Sequence, residues 1–261
     1  MLKIGIIGGS GLDDPKMLEA CREIEVETDF GRPESPLTLG RIEGRDVVIL
    51  ARHGRKHAVM PGRVNYRANV RALKDQGCSH VLATTACGSL REAIEPGHLV
   101  FPDQFVDRTT KRESTFYDKD RVCHIAMEEP FCPRLRTLLA EEAENLGFAH
   151  HAKATLVTIE GPRFSTRAES RLFRAWGLDI INMSTIPEAT LAREAGMCYQ
   201  PIAMSTDYDC FMESEENVTW EQIARIMSAN VARVKSLLAA SIPRIDFEDC
   251  PCRTAIDQAL V

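Results

Sequence analysis

The chain has 261 residues, 44% of them hydrophobic and 27% charged, with a net charge of −6 and a pI near 5.7. That size and mix fit one large α/β domain, or two small ones, with a sizeable core. The acidic balance argues against wholesale binding to nucleic acid or an anionic membrane surface, since both need a basic face. No apolar run approaches the roughly 20 residues of a membrane helix, and MLKIGIIGGSG reaches glycine too early for a secretory leader. A cytoplasmic protein is the expectation.

In chain order, KIGIIG (3–8), DVVIL (46–50), HVLATTA (80–86), HLVFPDQFV (98–106), ATLVTI (154–159), DIINMS (179–184) and YQPIAMST (199–206) read as buried strands. Between them, residues 65–77, 133–147, 167–177 and 186–196 have helical periodicity and end at or near a glycine. A longer helix over 218–242 closes the fold. The alternation predicts an α/β protein: a mixed, mostly parallel central β-sheet flanked by helices on both faces. One domain over 1–245 is expected, followed by a tail, 246–261, that carries Cys250-Pro251-Cys252.

In such sheets ligands bind beyond the carboxyl ends of the strands. Polar residues follow five of these runs: Ser10 after the first, Arg52 and His53 after the second, Thr85 and Ala86 late in the third. Met183 and Ser184 end DIINMS, and Asp207 and Asp209 follow YQPIAMST. Arg52 offers a planar fork suited to phosphate oxygens, and His53 adds a donor. With the hydroxyls of Ser10, Thr85 and Ser184 they would wrap one small anion.

The opening glycine-rich loop does not satisfy the dinucleotide fingerprint. GSGLDD (9–14) places aspartate where the third glycine of GxGxxG would allow close helix packing. Nor does a clean apolar strand ending in an acid follow, because CREIEVETDFGRP is half charged. Taken alone, the loop reads equally as a tight turn or as a cradle for one small anion.

Asp207 and Asp209 are one residue apart after a strand, so extended geometry would aim both the same way. Two such acids can accept donors from a heterocycle or deliver a proton to a ring nitrogen; a solvated loop pair or a helix cap reads equally well. The nine cysteines include no CxxC, so no metal is expected. Cys250 and Cys252 could form a strained disulfide.

Seven blocks together carry a resemblance: IGIIGGSGLDD (4–14), LARHGRKH (50–57), VNYRAN (64–69), TTACGSLRE (84–92), TIEGPRFSTRAES (158–170), INMSTIPEA (181–189) and AMSTDYDC (203–210). They resemble S-methyl-5′-thioadenosine phosphorylases, within the trimeric purine nucleoside phosphorylase superfamily, from residue 3 to about 243. The resemblance implies the nucleoside phosphorylase fold and a glycosyltransferase reaction of methionine and purine salvage: inorganic phosphate attacks C1′ of methylthioribose and adenine departs. Phosphate is then a co-substrate, and no cofactor is implied. By motif, Ser10, Arg52, His53, Thr85, the Ala86 N–H and Ser184 bind phosphate, and Met183 packs on the ribose. Asp207 protonates or hydrogen-bonds N7 as the catalytic group, and Asp209 reads the 6-amino group. Phe164 and Ser165 line the base pocket, Trp220 and Ile223 border the 5′-methylthio pocket, and His124 reaches into a neighbouring subunit's 5′ pocket. A homotrimer is therefore implied, with the pairing of two trimers left open.

Ser10 and Ser184 stand where some family members have threonine, and both keep the hydroxyl. Trp220 is bulkier than the valine often found there, which leaves the 5′-substituent preference open. A broader purine nucleoside or 5′-deoxyadenosine phosphorylase is the nearest alternative. An NAD-binding oxidoreductase fits only the first 12 residues, and a purine- or phosphate-binding module without turnover is the non-enzymatic reading.

Overall fold

A computed structural model describes residues 2–8, 18–212 and 220–261 of the chain, without the side chains of residues 220 and 222–224. The strands in order are β1 (Lys3–Gly8), β2 (Glu19–Ile24), β3 (Leu37–Ile42), β4 (Arg45–Ala51), β5 (Cys78–Ser89) and β6 (Leu99–Val100). They are followed by β7 (Gln104–Arg108), β8 (His150–His151), β9 (Thr155–Ile159), β10 (Ile180–Asn182) and β11 (Cys198–Asp207). The α-helices are α1 (Tyr66–Asp75), α2 (Pro133–Asn145), α3 (Arg167–Ala175), α4 (Thr185–Glu194) and α5 (Trp220–Ser241).

The strands form one mixed sheet in the order β2-β3-β4-β1-β5-β10-β9-β7, and a branch runs from β5 through β11 and β6 to β8. β1 runs parallel to both β4 and β5. The long strand β5 is the hub. Its first half pairs with β1, its end pairs with β10, and β11 runs parallel along most of its length. The apolar character of β1 follows from this central place, since it is covered on both faces. Ile4 and Ile6 join a core built by α2 and α5, whereas Ile7 joins one built by α1 and α4. Gly5 faces α1 closely: a Cβ there would lie 3.1 Å from Leu73 Cδ1.

Two departures from the sequence pattern have local causes. The run 98–106 is not one strand but two, β6 and β7, separated by Phe101-Pro102-Asp103. Pro102 lacks the N–H a ladder requires. β2 and β3 carry no clean apolar signature, because β2 is an exposed antiparallel strand at the sheet edge with the sequence EACREI. The segment after α5 is part of the packed body: Phe247, Cys250 and Cys252 are buried in the α2–α5 core. Farther on, Leu260 bridges Cys123, and His124 donates its backbone N–H to the Ala259 carbonyl. All nine cysteines are free thiols. Four of them, distant in sequence, meet in this core.

Candidate active site

A cleft of about 480 Å³ opens where β4, β5, β10 and β11 end. Arg52, His53, Thr85, Ala86, Phe164, Ser165, Met183, Ser184, Asp207 and Asp209 all line it. Four separate strand ends therefore deliver their polar residues to one place, as a doubly covered sheet allows. Ser10 lies outside the described residues, as do the side chains of Trp220 and Ile223. His124 is exposed and lines no part of this cleft.

The anion side is built around Arg52, which is 2% exposed. Its Nε and Nη2 donate to the two carboxylate oxygens of Glu188 at 2.8 and 2.9 Å, and its Nη1 donates to the Thr84 carbonyl at 2.8 Å. The fork that the sequence assigns to phosphate is thus closed on a buried carboxylate. Two of the five guanidinium N–H groups remain for a ligand. Burial alone would lower the Arg52 pKa, but the Glu188 charge more than reverses this, and the group stays a cation. Tyr199 Oη also donates to Glu188, at 2.7 Å. The local charge is close to balanced before a ligand arrives.

His53 Nδ1 donates to the Val59 carbonyl at 2.8 Å. Burial first, then the Arg52 cation, lowers its pKa to about 4. A neutral imidazole protonated at Nδ1 presents Nε2 as an acceptor. His53 therefore accepts a P–OH proton or takes up a proton when an anion binds, rather than adding a ready donor. His57 also lines the cleft, with its ring 4.6 Å from that of His53.

Thr85 and Ser184 form the hydroxyl pair, with their Oγ atoms 2.9 Å apart. Ser184 sits at the N-cap of α4 without making a side-chain cap, so its hydroxyl is left for Thr85 and the cleft. Asn182 fixes the pair: its Nδ2 donates to Thr85 at 3.1 Å and to Thr185 at 2.6 Å, while its Oδ1 accepts from Thr158 at 2.8 Å.

The second polar group is the acid pair. Strand β11 stops at Asp207 with a register shift between Ser205 and Asp207, and Asp209 is in the left-handed region at φ 51°. The extended geometry read from the sequence is therefore replaced by a turn, in which the Asp209 N–H donates to Asp207 Oδ1 at 2.8 Å. Thr206 donates to the other Asp207 oxygen at 2.6 Å. Both acids still face the cleft. Burial raises the Asp209 pKa, although the hydroxyls of Ser170 and Ser165 and the Cys210 N–H oppose it.

Two glycines make room for these groups. A Cβ on Gly88 would stand 3.0 Å from Asp207 Oδ1, and one on Gly161 would stand 2.6 Å from Met183 Sδ. Phe164 and Ser165 sit on the loop before α3. A capping box at Thr166 and Glu169 pins that loop, and Arg163 grips Glu169 at 2.7 Å. The site thus also depends on Glu188, Asn182 and Gly161, which strand-end reasoning does not find. Glu188 lies within a helical stretch, and Asn182 lies inside an apolar run.

Residues 3–243 match the model of the phosphorylase superfamily. The chain belongs to the phosphorylase superfamily. Among similar members of that superfamily, an S-methyl-5′-thioadenosine phosphorylase of Danio rerio is 56% identical over 94% of this chain and 89% of its own length. One of Thermofilum pendens is 50% identical over 100% of this chain and 99% of its own. A methylthioadenosine phosphorylase structure from an Antarctic soil metagenomic library superposes with a TM-score of 0.94 at 40% identity, covering 100% of this chain and 92% of that one. An adenosine/methylthioadenosine phosphorylase variant of Schistosoma mansoni, in complex with methylthioadenosine, gives 0.89 at 42% identity, covering 95% and 93%.

Proposed function

We propose that this chain catalyses the phosphorolysis of S-methyl-5′-thioadenosine to adenine and 5-methylthioribose 1-phosphate. One observation carries the reading: a single cleft gathers anion-side groups (Arg52, His53, Thr85, Ser184) and a half-buried acid pair (Asp207, Asp209), with Met183 in its wall. A nucleoside whose sugar is attacked from one face and whose base leaves from the other needs those two chemistries in one cleft. The names of the similar proteins support the same substrate.

In this reading Arg52 and the hydroxyls hold phosphate beneath C1′. His53 takes the phosphate proton, so that the dianion becomes the nucleophile. A phosphate oxygen forms the bond to C1′ as the C1′–N9 bond breaks. The electron pair of that bond passes into the purine, where N7 receives a proton or a hydrogen bond from Asp207. Catalysis rests on positioning and electrostatic stabilisation of an oxocarbenium-like transition state. Asp209 faces the 6-amino group, and a 6-oxo purine would set acceptor against acceptor there. A buried unpaired acceptor costs on the order of 1–3 kcal/mol.

No cofactor enters this scheme. Among the described residues no helix is long and apolar enough to cross a membrane. A cytoplasmic homotrimer, with His124 of each subunit entering the next subunit's 5′ pocket, belongs to the same proposal. The name of the Schistosoma relative favours one second reading, in which adenosine is also a substrate.

A phosphate-dependent adenine-release assay tests the proposal against methylthioadenosine, adenosine, inosine and methylthioinosine. Methylthioadenosine is expected to turn over best, and only with phosphate present. Release from none of the four, or stabilisation by NAD but not by phosphate plus nucleoside in a thermal-shift assay, would overturn it.

A further inference from the structure

Four cysteines from three distant parts of the chain meet in the α2–α5 core. Cys132 stands at the N-cap of α2, and Cys198 opens β11. Cys250 and Cys252 flank Pro251 in one short turn near the C-terminus. Their four sulfurs all lie within 4.8 Å of one another, and the Sγ atoms of Cys132 and Cys250 are 3.7 Å apart. The four residues are 0, 0, 2 and 4% exposed in chain order. None of them lines the cleft.

Apolar packing alone does not call for four sulfurs at one point. A tetrahedral tetrathiolate with metal–sulfur bonds of about 2.3 Å has sulfur–sulfur edges of about 3.8 Å, which the 3.7 Å pair matches. The surroundings suit the charge. Arg193 Nη1 lies 3.5 Å from Cys252 Sγ as a hydrogen-bond donor, and Cys132 stands at the positive end of a helix of thirteen residues. N–H donation to a ligating sulfur is the usual outer support of such a centre.

We propose that Cys132, Cys198, Cys250 and Cys252 bind one zinc ion in a closed, structural tetrathiolate site. Binding exchanges four thiol protons for one divalent cation. The resulting centre carries two negative charges, which Arg193 and the α2 N-terminus partly offset. Four protein ligands leave no open position, so the ion has no part in phosphorolysis, and the proposal stands independently of the substrate. Its effect is on the fold: it fastens the C-terminal segment to β11 and α2. That segment pairs with residues 122–124 through the Cys123–Leu260 bridge and the His124–Ala259 bond.

The test uses the full chain, expressed with zinc in the medium and purified without chelator. Elemental analysis is expected to give one zinc per chain. Exchange for cobalt is expected to give the visible absorption and sulfur-to-metal charge-transfer bands of a tetrahedral thiolate centre. Thiol titration of the protein unfolded in chelator, without reductant, is expected to find all nine cysteines. Cys252→Ser should lose the zinc, and Cys123→Ser, outside the cluster, should keep it. Absence of metal from the native protein together with no cobalt uptake by the reduced protein would overturn the proposal. So would a titration that finds only five thiols, because the cluster would then be a pair of disulfides.

Discussion

Arg52 and Glu188 form a two-pronged ion pair, at 2.8 and 2.9 Å, with both side chains buried, 136 residues apart in sequence. The pair sets the orientation of the guanidinium at the anion side of the cleft and, together with the Thr84 carbonyl, leaves it two donors instead of five. Removing one partner of a buried pair strands the other charge, at a cost of about 3–5 kcal/mol. Glu188→Ala is expected to lower the denaturant midpoint by a stability loss of that order. Glu188→Gln keeps the shape but weakens the hold on Arg52, and should raise the KM for phosphate more than that for the nucleoside. Steady-state kinetics with each substrate varied in turn checks this.

The acid pair divides leaving-group chemistry from base recognition. Asp207→Asn is expected to lower kcat on methylthioadenosine by roughly 10²-fold or more, the usual reach of general acid catalysis, with little change in phosphate KM. Asp209→Asn can donate as well as accept, and should narrow the gap between 6-amino and 6-oxo nucleosides. Comparing kcat/KM on methylthioadenosine and methylthioinosine reads this directly.

Neutral buried histidines set the acid limit of stability. His53 and His80 both have folded-state pKa values near 4, lowered chiefly by burial. The unfolded chain, with ordinary values near 6.5, binds more protons in between. Stability is therefore full above about pH 6.5 and falls as the pH drops towards 4, by on the order of 3 kcal/mol for each histidine. Unfolding midpoints measured from pH 7 to pH 4 should show this loss, and His53→Gln should flatten the curve.

Gly161 has φ 66° and leaves no room for a Cβ beside Met183 Sδ. Gly161→Ala should displace Met183, lower kcat/KM for the nucleoside, and leave the circular dichroism of the folded chain close to that of the parent.

Much of the sheet is legible in the sequence because β1, β5 and β11 are buried on both faces and read as continuous apolar runs. β2 is not, because an edge strand half covered with charge has no such run. The strand-end logic finds the residues that face the cleft, but not those that hold them. Glu188 looks like a surface position of a helix until α4 is seen to be buried on nearly all sides. Asn182 is hidden inside DIINMS, and its role depends on Thr85, 97 residues away. Asp207 and Asp209 are found, but their relative aim is misjudged, because the strand ends between them. The cysteine cluster gives no local signal, since Cys132, Cys198 and the Cys250–Cys252 pair meet only in three dimensions.

The central claim is that phosphate is the nucleophile and not merely a bound anion. Phosphorus NMR of a reaction with methylthioadenosine and inorganic phosphate tests it most directly. The account predicts a sugar 1-phosphate formed in equal amount with adenine, and no adenine when phosphate is left out. Adenine appearing with free methylthioribose and an unchanged phosphate signal would contradict it.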